Sequence, residues 1–303
     1  MTDTPPIGTP SSIPLAPAAP SDTDLDAMRE RLRDFMQAHR RVFVITGAGC
    51  STESGIADYR DRDGAWKRPM PITYQAFTGD ANTRRRYWAR AMVGWRHLAM
   101  AAPNDTHRTL AHWEHAGRLS LLVTQNVDGL HQAAGSVNVV DLHGRLDGVR
   151  CLKCGQRLPR ADVQAELARR NPLFATLDAP SAPDGDADLE TAAFADFDVP
   201  DHAGCGGMLK PDVVYFGESV PAERVHRAKA AIDTSDAMLI VGSSLMVYSG
   251  YRFALAAADR GIPLAALNVG HTRADALLSL KIEGQAGAVL RDLSLDETAS
   301  ALD

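Results

Sequence analysis

Five short apolar runs, at 42–46, 119–124, 137–142, 237–242 and 263–268, constrain the fold of this chain more than any other feature. Each is rich in Val, Ile, Leu or Ala, and each stops at small polar residues. A short apolar run without polar alternation reads as a strand buried on both faces. Helical patterns lie between several of them, at about 222–233 and 249–260. Strands alternating with helices predict an α/β architecture, a doubly wound parallel sheet of Rossmann-like type. Ahead of the first strand, Ser21 caps a predicted helix from about Asp22 to His39, with Asp24 in its first turn. Leu25, Met28, Leu32, Phe35 and Met36 fall on one face of it, which reads as core packing. Residues 73–101 also read as helical.

In an open α/β sheet, ligands bind at the carboxyl ends of the strands, so the polar residues there carry the functional reading. The first strand runs into "GAGCSTESGIADYR" (47–60), with two glycines and then the hydroxyl pair Ser51 and Thr52. That order suits a phosphate-binding loop. The dinucleotide fingerprint G-x-G-x-x-G would need glycine at 52, where Thr52 stands. The second strand ends in "TQNVDGLH" (124–131), which clusters Gln125, Asn126 and Asp128. Alone, that cluster reads equally as a helix-capping turn or as partners for a sugar hydroxyl or carboxamide. "DLHGRL" (141–146) sets His143 in the same position after the third strand. A histidine there is a candidate general base, although a lone histidine is more often structural. "GSSLMV" (242–247) adds a second phosphate or ribose loop with Gly242, Ser243 and Ser244, and "LNVG" (267–270) offers Asn268. Polar residues after all five strands are hard to explain as unrelated turns.

The chain has 303 residues, 45% of them hydrophobic, enough for one large domain with a small satellite. A net charge of −6 gives no general electrostatic reason to bind nucleic acid, and the run Arg84 to Arg86 reads as a solvated helix face. No apolar run reaches the ~20 residues of a membrane span. The first 21 residues are rich in Pro, Ala, Ser and Thr and hold no Lys or Arg. They lack the basic start and apolar centre of a secretory signal and the arginines of a transit peptide. They read as a disordered arm on a cytoplasmic protein.

Of four cysteines, Cys151 and Cys154 form "CLKC", and "HAGCGG" supplies His202 and Cys205 further on. Two knuckles with thiolate and imidazole donors predict one zinc in a closed tetrahedral site. Such a site leaves no open position for substrate, so its role is structural. The expected organisation is a Rossmann-like domain over 22–149 and 209–293. A zinc-binding module over 150–208 interrupts it, and a tail covers 294–303. "APSAPDGDADLE" in the insert reads as a loop.

These motifs, with "KPDVVYFGE" (210–218), stand in the order found in sirtuins, and the chain resembles that family of NAD-dependent protein deacylases over about 40–292. Thr-Glu-Ser-Gly-Ile, "PDGD" and "GSSLMVYSGYRF" are most similar to the class II branch. The resemblance implies that Gly47, Ala48, Gly49, Ser51 and Thr52 line the NAD pyrophosphate through backbone amides. Asp58, Tyr59 and Arg60 would belong to a mobile loop over the nicotinamide ribose. Gln125, Asn126, Val127 and Asp128 would surround the ribose and carboxamide. Gly242, Ser243, Ser244, Asn268, Val269, Gly270 and Ala286 would hold the adenosine half.

Asn126, Asp128 and His143 are the implied catalytic residues, with His143 as base on a ribose hydroxyl. An acyl-lysine peptide would add as a strand between "YFGE" and "GSSLMVYS", touching Val214, Phe216, Gly217, Glu218 and Val247. Ala57 stands where the family has proline, which loosens the cofactor loop, and His202 stands in place of a zinc cysteine. No tyrosine-arginine pair matches that of the desuccinylase branch. A protein mono-ADP-ribosyltransferase would need the same NAD pocket, and a non-catalytic NAD sensor would not need His143. The expected protein is a monomer whose partners are acyl-lysine proteins.

Overall fold

The first apolar run forms β1 (Val42–Thr46), and all five of its residues are buried. In the computed structural model, residues 20–67, 70–179, 186–187, 189 and 194–295 are described. β1 pairs in parallel with β2 (Leu119–Thr124) on one side and with β7 (Ala237–Val241) on the other. β3 (Val139–Asp141), β8 (Leu264–Leu267) and β9 (Leu280–Ile282) extend the sheet to the order β3-β2-β1-β7-β8-β9. The chain fills one side of β1 and then the other, so a topological switch point lies at the β1/β7 crevice. That is where an open parallel sheet takes its ligand.

Burial on both faces explains the unbroken apolar runs. Val42 and Val44 pack into one core cluster with Leu32, Met36, Leu110 and Trp113. Phe43 and Ile45 pack into the opposite one with Ile232, Phe253 and Ala257. The first cluster is closed by α1 (Asp22–Ala38), α4 (Asp105–His115) and α10 (Ala286–Leu290). The second is closed by α8 (Ala222–Ile232) and α9 (Tyr248–Ala258). The short α5 (Leu130–Ala133) follows β2.

A second, antiparallel sheet of order β5-β4-β6 is built from β4 (Gly144–Cys151), β5 (Arg157–Pro159) and β6 (Leu209–Val213). It packs with α2 (Tyr74–Gly79), α3 (Ala81–Met100), α6 (Arg160–Arg170) and α7 (Pro172–Ala175). Edge-on rings fill their common core, with Phe77 against Tyr87 and Tyr215, and Phe174 against Phe197.

Ser21 caps α1 as expected, with Asp24 completing a capping box. The helical stretch over 73–101 divides at Asp80, whose carboxylate accepts from the Asn82 and Thr83 amides and starts α3. Mid-helix Asp is a weak helix former, and as an N-cap it is a strong one. The third strand is shorter than expected because the amides of Val137 and Asn138 donate to the Glu114 carboxylate instead of a ladder. Residues 1–19, 68–69, 180–185, 188, 190–193 and 296–303 lie outside the described residues. Most of the expected arm, most of "APSAPDGDADLE" and most of the tail fall there. No helix among the described residues is long and apolar enough to cross a membrane.

Candidate functional site

A cavity of about 1340 Å³ opens over the switch point. The loops after β1, β2, β7 and β8 line it together with His143 and the segment after β6. Glycine makes the crossing of two of these loops possible. A Cβ on Gly242, which has a φ of +58°, would lie 2.4 Å from the Cys50 amide nitrogen. The loop after β1 turns through two short 3-10 segments, Ala48–Cys50 and Thr52–Ser54. The amides of Gly47, Gly49 and Ser51 already donate to the carbonyls of Val241, Gly242 and Ala48. An anion at this loop must therefore share those donors. The Thr52 hydroxyl folds back on the Gly49 carbonyl at 3.2 Å.

Ser51 is buried and joins the two polar loops. Its hydroxyl donates to Asp128 at 2.7 Å and accepts from the Asn126 amide at 2.9 Å. Asn126 also donates to the Gly47 carbonyl, and the second Asp128 oxygen accepts from the Leu130 amide. The Gln125 side chain donates to Ser243 at 2.6 Å, tying the β2 loop to the β7 loop. Val127 lines the cavity, and its carbonyl accepts from Leu146.

His143 hangs between β3 and β4. Its Nδ1 lies 3.0 Å from the Gln125 carbonyl, which can only accept, so Nδ1 carries the hydrogen. Its Nε2 lies 2.7 Å from the Ser249 hydroxyl. Burial pushes its pKa down to about 4; the Gln125 bond opposes this, and Arg224 and Arg252 add to it. At neutral pH it is therefore an uncharged imidazole with one lone pair. Gly144 follows with φ +83°, and a Cβ there would lie 2.0 Å from the Asp212 carbonyl oxygen. Only glycine lets β4 start this close to β6.

Asp58, Tyr59 and Arg60 lie on a hairpin-like loop. Asp58 pairs with Lys67 at 2.5 Å, and Arg60 lies over the Trp66 ring at 3.9 Å while donating to the Gly64 carbonyl. Trp66 also meets Tyr59 and Phe216 edge-on. Asn268 lines the cavity with Val269 and Ala286, and its amide folds onto the Val269 carbonyl. Gly270 stands apart. It is not in the cavity wall, and its φ of +80° brings it against the Arg62 backbone, where a Cβ would be 2.3 Å from the carbonyl oxygen.

Val214, Phe216, Gly217, Glu218 and Val247 all line the cavity. Val214 donates to the His143 carbonyl at 2.7 Å, Phe216 accepts from the Tyr74 amide and Gly217 from Gln75. Glu218 closes this segment by accepting from the Tyr215 amide and from buried Lys210.

Cys151, Cys154, His202 and Cys205 come together as the knuckle spacing predicts. Cys151 and Cys205 sulfurs are 3.5 Å apart, and His202 Nδ1 is 3.8 Å from Cys154 Sγ and 3.1 Å from Cys205 Sγ. Separations of that size surround one tetrahedral ion with Zn–S near 2.3 Å. Gly207 is required beside it, since a Cβ there would lie 2.5 Å from Cys151 Sγ. The donor set and the cradle fit a structural zinc.

Sequence reasoning missed Ser249, Trp66 and the support beneath the glycine loop. Ser249 ends the stretch "GSSLMVYS", two residues past Val247, the last of its residues given a contact. Beneath the loop, buried Cys50, His107 and His131 cluster. Asn104 caps α4 and donates to the Cys50 carbonyl at 2.8 Å. His107 Nδ1 accepts from the Asn104 amide, and its Nε2 reaches Ser51 at 3.5 Å. No local pattern joins these positions.

Known proteins match this chain in sequence and in fold. A model described as "Sir2 family" matches residues 47–249. An NAD-dependent protein deacetylase of Xanthomonas campestris pv. campestris is 62% identical over 83% of this chain and 86% of its own. NAD-dependent protein deacetylase 2 of Bradyrhizobium diazoefficiens is 58% identical over 86% and 96%. Among solved structures, a Sir2 homolog–NAD complex has TM-score 0.67 and 31% identity, covering 87% of this chain and 91% of that one. A Sir2–p53 peptide–NAD+ complex has TM-score 0.66 and 28% identity, covering 87% and 95%.

Proposed function

The chain belongs to the Sir2 family and is an NAD-dependent protein deacylase, and we propose that Asn126, Asp128 and His143 carry its chemistry. The observation that supports this assignment is His143 itself, a neutral imidazole fixed by the Gln125 carbonyl and facing the cavity beside the Asn126–Ser51–Asp128 cluster.

In this reading Asn126 and Asp128 hold the nicotinamide ribose and carboxamide of NAD. Gly47, Ala48, Gly49, Ser51 and Thr52 face the pyrophosphate. Gln125, Val127, Gly242, Ser243, Ser244, Asn268, Val269 and Ala286 complete the wall, with Gly270 shaping it from behind. Asp58, Tyr59 and Arg60, braced by Trp66, close over the ribose. The acyl-lysine carbonyl oxygen attacks the anomeric carbon and nicotinamide leaves. His143 Nε2 then takes a proton from a ribose hydroxyl, whose oxygen attacks the acyl carbon. Water completes the reaction to free lysine and O-acyl-ADP-ribose. Positioning and fixed dipoles supply most of the rate.

The peptide lies along Val214, Phe216, Gly217, Glu218 and Val247, bound mainly through main chain. Zinc, held by Cys151, Cys154, His202 and Cys205, supplies structure rather than chemistry. We further assign the chain to the class II branch, divide it at 150–208 into a catalytic domain and a zinc module, and take it to act as a cytoplasmic monomer on acyl-lysine proteins, without nucleic acid or membrane.

Mass spectrometry with NAD and a panel of acyl-lysine peptides tests the assignment. The native enzyme forms free lysine peptide, nicotinamide and O-acyl-ADP-ribose together. His143→Ala lowers deacylation by about 10²–10⁴-fold and keeps the fold. Unchanged turnover in that variant would remove His143 from the mechanism. Nicotinamide without deacylated peptide would point to ADP-ribosyl transfer.

A further inference from the structure

We propose that Ser249 is the proton relay between the ribose hydroxyl and His143, a step that rests on the reading of His143 as base. The serine oxygen takes up the ribose O–H hydrogen while its own hydrogen passes to His143 Nε2. The ribose O–H and the original serine O–H bonds break, and a new serine O–H and an Nε2–H form. The electron pair left on the ribose oxygen makes its bond to the acyl carbon. One proton has moved from ribose to imidazole, and Ser249 ends as it began.

The geometry carries this. With Nδ1–H committed to the Gln125 carbonyl, the only basic atom of His143 is Nε2, and it has a single lone pair in the ring plane. The Ser249 hydroxyl donates to that lone pair at 2.7 Å. A ribose hydroxyl reaches the base either by expelling Ser249 or by bonding to its oxygen. Expulsion breaks the 2.7 Å bond, whereas bonding to the oxygen keeps it. Ser249 sits in the first turn of α9, whose backbone is fixed as the Gly250 and Tyr251 amides donate to the Val247 carbonyl, each at 3.2 Å.

The turn is also pressed onto the β2 loop. A Cβ on Gly250 would lie 2.6 Å from the Gln125 side-chain oxygen. Glycine there lets Ser249 come up against the ring that Gln125 holds. Ser249 lines the same cavity as His143, and a hydroxyl that donates one bond still accepts others. The arrangement keeps the base capped by a hydroxyl while the site is empty and leaves that hydroxyl ready to accept from the cavity side.

The test uses the full zinc-loaded chain with NAD and an acetyl-lysine peptide. It compares the native enzyme with Ser249→Ala and Ser249→Thr. Labelled-nicotinamide exchange reports the first step, and rapid-quench formation of O-acetyl-ADP-ribose reports the second. Ser249→Ala is expected to exchange nicotinamide within about twofold of the native rate. It should form O-acetyl-ADP-ribose about 10²-fold more slowly, at the lower end of what acid–base groups contribute. Its rate in mixed H2O and D2O should change from a curved to a linear dependence on deuterium fraction, because one transferred proton is gone. Ser249→Thr keeps a hydroxyl and should restore most of the rate and the curvature.

Product formation at native speed with a curved dependence in Ser249→Ala would overturn the relay. So would an equal fall in exchange and product formation, because that outcome belongs to a residue that only shapes the pocket. A native enzyme that makes neither nicotinamide nor free lysine peptide would instead fail the underlying deacylase assignment.

Discussion

Two clusters of thiols and imidazoles lie in this molecule, and they do different work. Cys151, Cys154, His202 and Cys205 form one, and Cys50, His107 and His131 the other; in each the donor atoms lie within 4.8 Å of one another. Residue type therefore does not separate them, and surroundings do. In the first, three sulfurs and one nitrogen face each other on two tight turns, and His202 accepts from the Cys205 and Gly206 amides through its carbonyl. In the second, every ring nitrogen except His131 Nδ1 is already engaged. His131 Nε2 bonds the Thr46 hydroxyl at 2.9 Å, and His107 is held by Asn104 and Ser51. Its one thiol, Cys50, is raised well above its usual pKa by burial. A protonated thiol among hydrogen-bonded neutral rings braces the glycine loop. Thiols facing one another on two tight turns take a metal, losing their protons to it.

The largest expected effect follows from the first cluster. Structural zinc is worth about 10–16 kcal/mol of apparent binding free energy in small modules, as much as a whole domain's reserve of about 5–15 kcal/mol. Cys154→Ser should strip the metal and melt the three-stranded sheet, and His202→Ala should weaken retention less severely. Metal analysis with calorimetry reads both. Cys50→Ser should keep about one zinc per chain. A native content of two, falling to one in Cys50→Ser, would erase the distinction between the clusters.

Acid separates them next. Burial holds His107 down to about 4 from 6.5, with Asp128 opposing, and lowers His131 well below 6.5 in the same way. Between those limits the unfolded chain binds more protons than the folded one, so stability is full above pH 6.5 and falls as pH drops toward 4. A depression from 6.5 to about 4 corresponds to about 3 kcal/mol for one imidazole. Denaturant midpoints followed from pH 7 to pH 5, with zinc content measured alongside, check this. Stability lost while zinc stays bound assigns the loss to buried histidines. A flat profile with zinc bound would mean that these rings titrate freely.

The contrast also explains what the sequence disclosed. The zinc donors sit in two four-residue knuckles, so their spacing is their geometry. The sheet was readable because strands buried on both faces must be apolar throughout, and the site loops because parallel strands deliver their carboxyl ends to one edge. β9, only Leu280–Ile282, offered too little pattern. Trp66 bracing Arg60 and Ser249 on His143 depend on how loops fold back, and no local period encodes that. Asn104, His107 and His131 look like ordinary helix residues until tertiary packing sets them under Ser51. At Gly270 the structure adds a second demand for glycine, the close approach of the Arg62 backbone, that the motif alone did not reveal.

The smallest expected effect on activity, a several-fold change, tests the bracing role directly. Asn104 accepts from the Thr106 and His107 amides as the cap of α4 and donates to the Cys50 carbonyl. Asn104→Ala loses the cap, worth about 1 kcal/mol, and leaves a buried carbonyl unpaired, worth about 1–3 kcal/mol. If the second cluster braces the loop, Ser51 loosens and the Asn126 and Asp128 side chains it joins lose their register. KM for NAD should then rise several-fold, and kcat should fall with it, because Asn126 and Asp128 position the reacting ribose. Asn104→Asp keeps the cap but cannot donate to the Cys50 carbonyl, so it should recover part of the stability and none of the affinity. Steady-state kinetics beside thermal melts separate the two terms. A loss of stability with an unchanged KM would make Asn104 a cap and nothing more. The buried histidines would then be core filling, and the two clusters would differ only in that one of them has a metal.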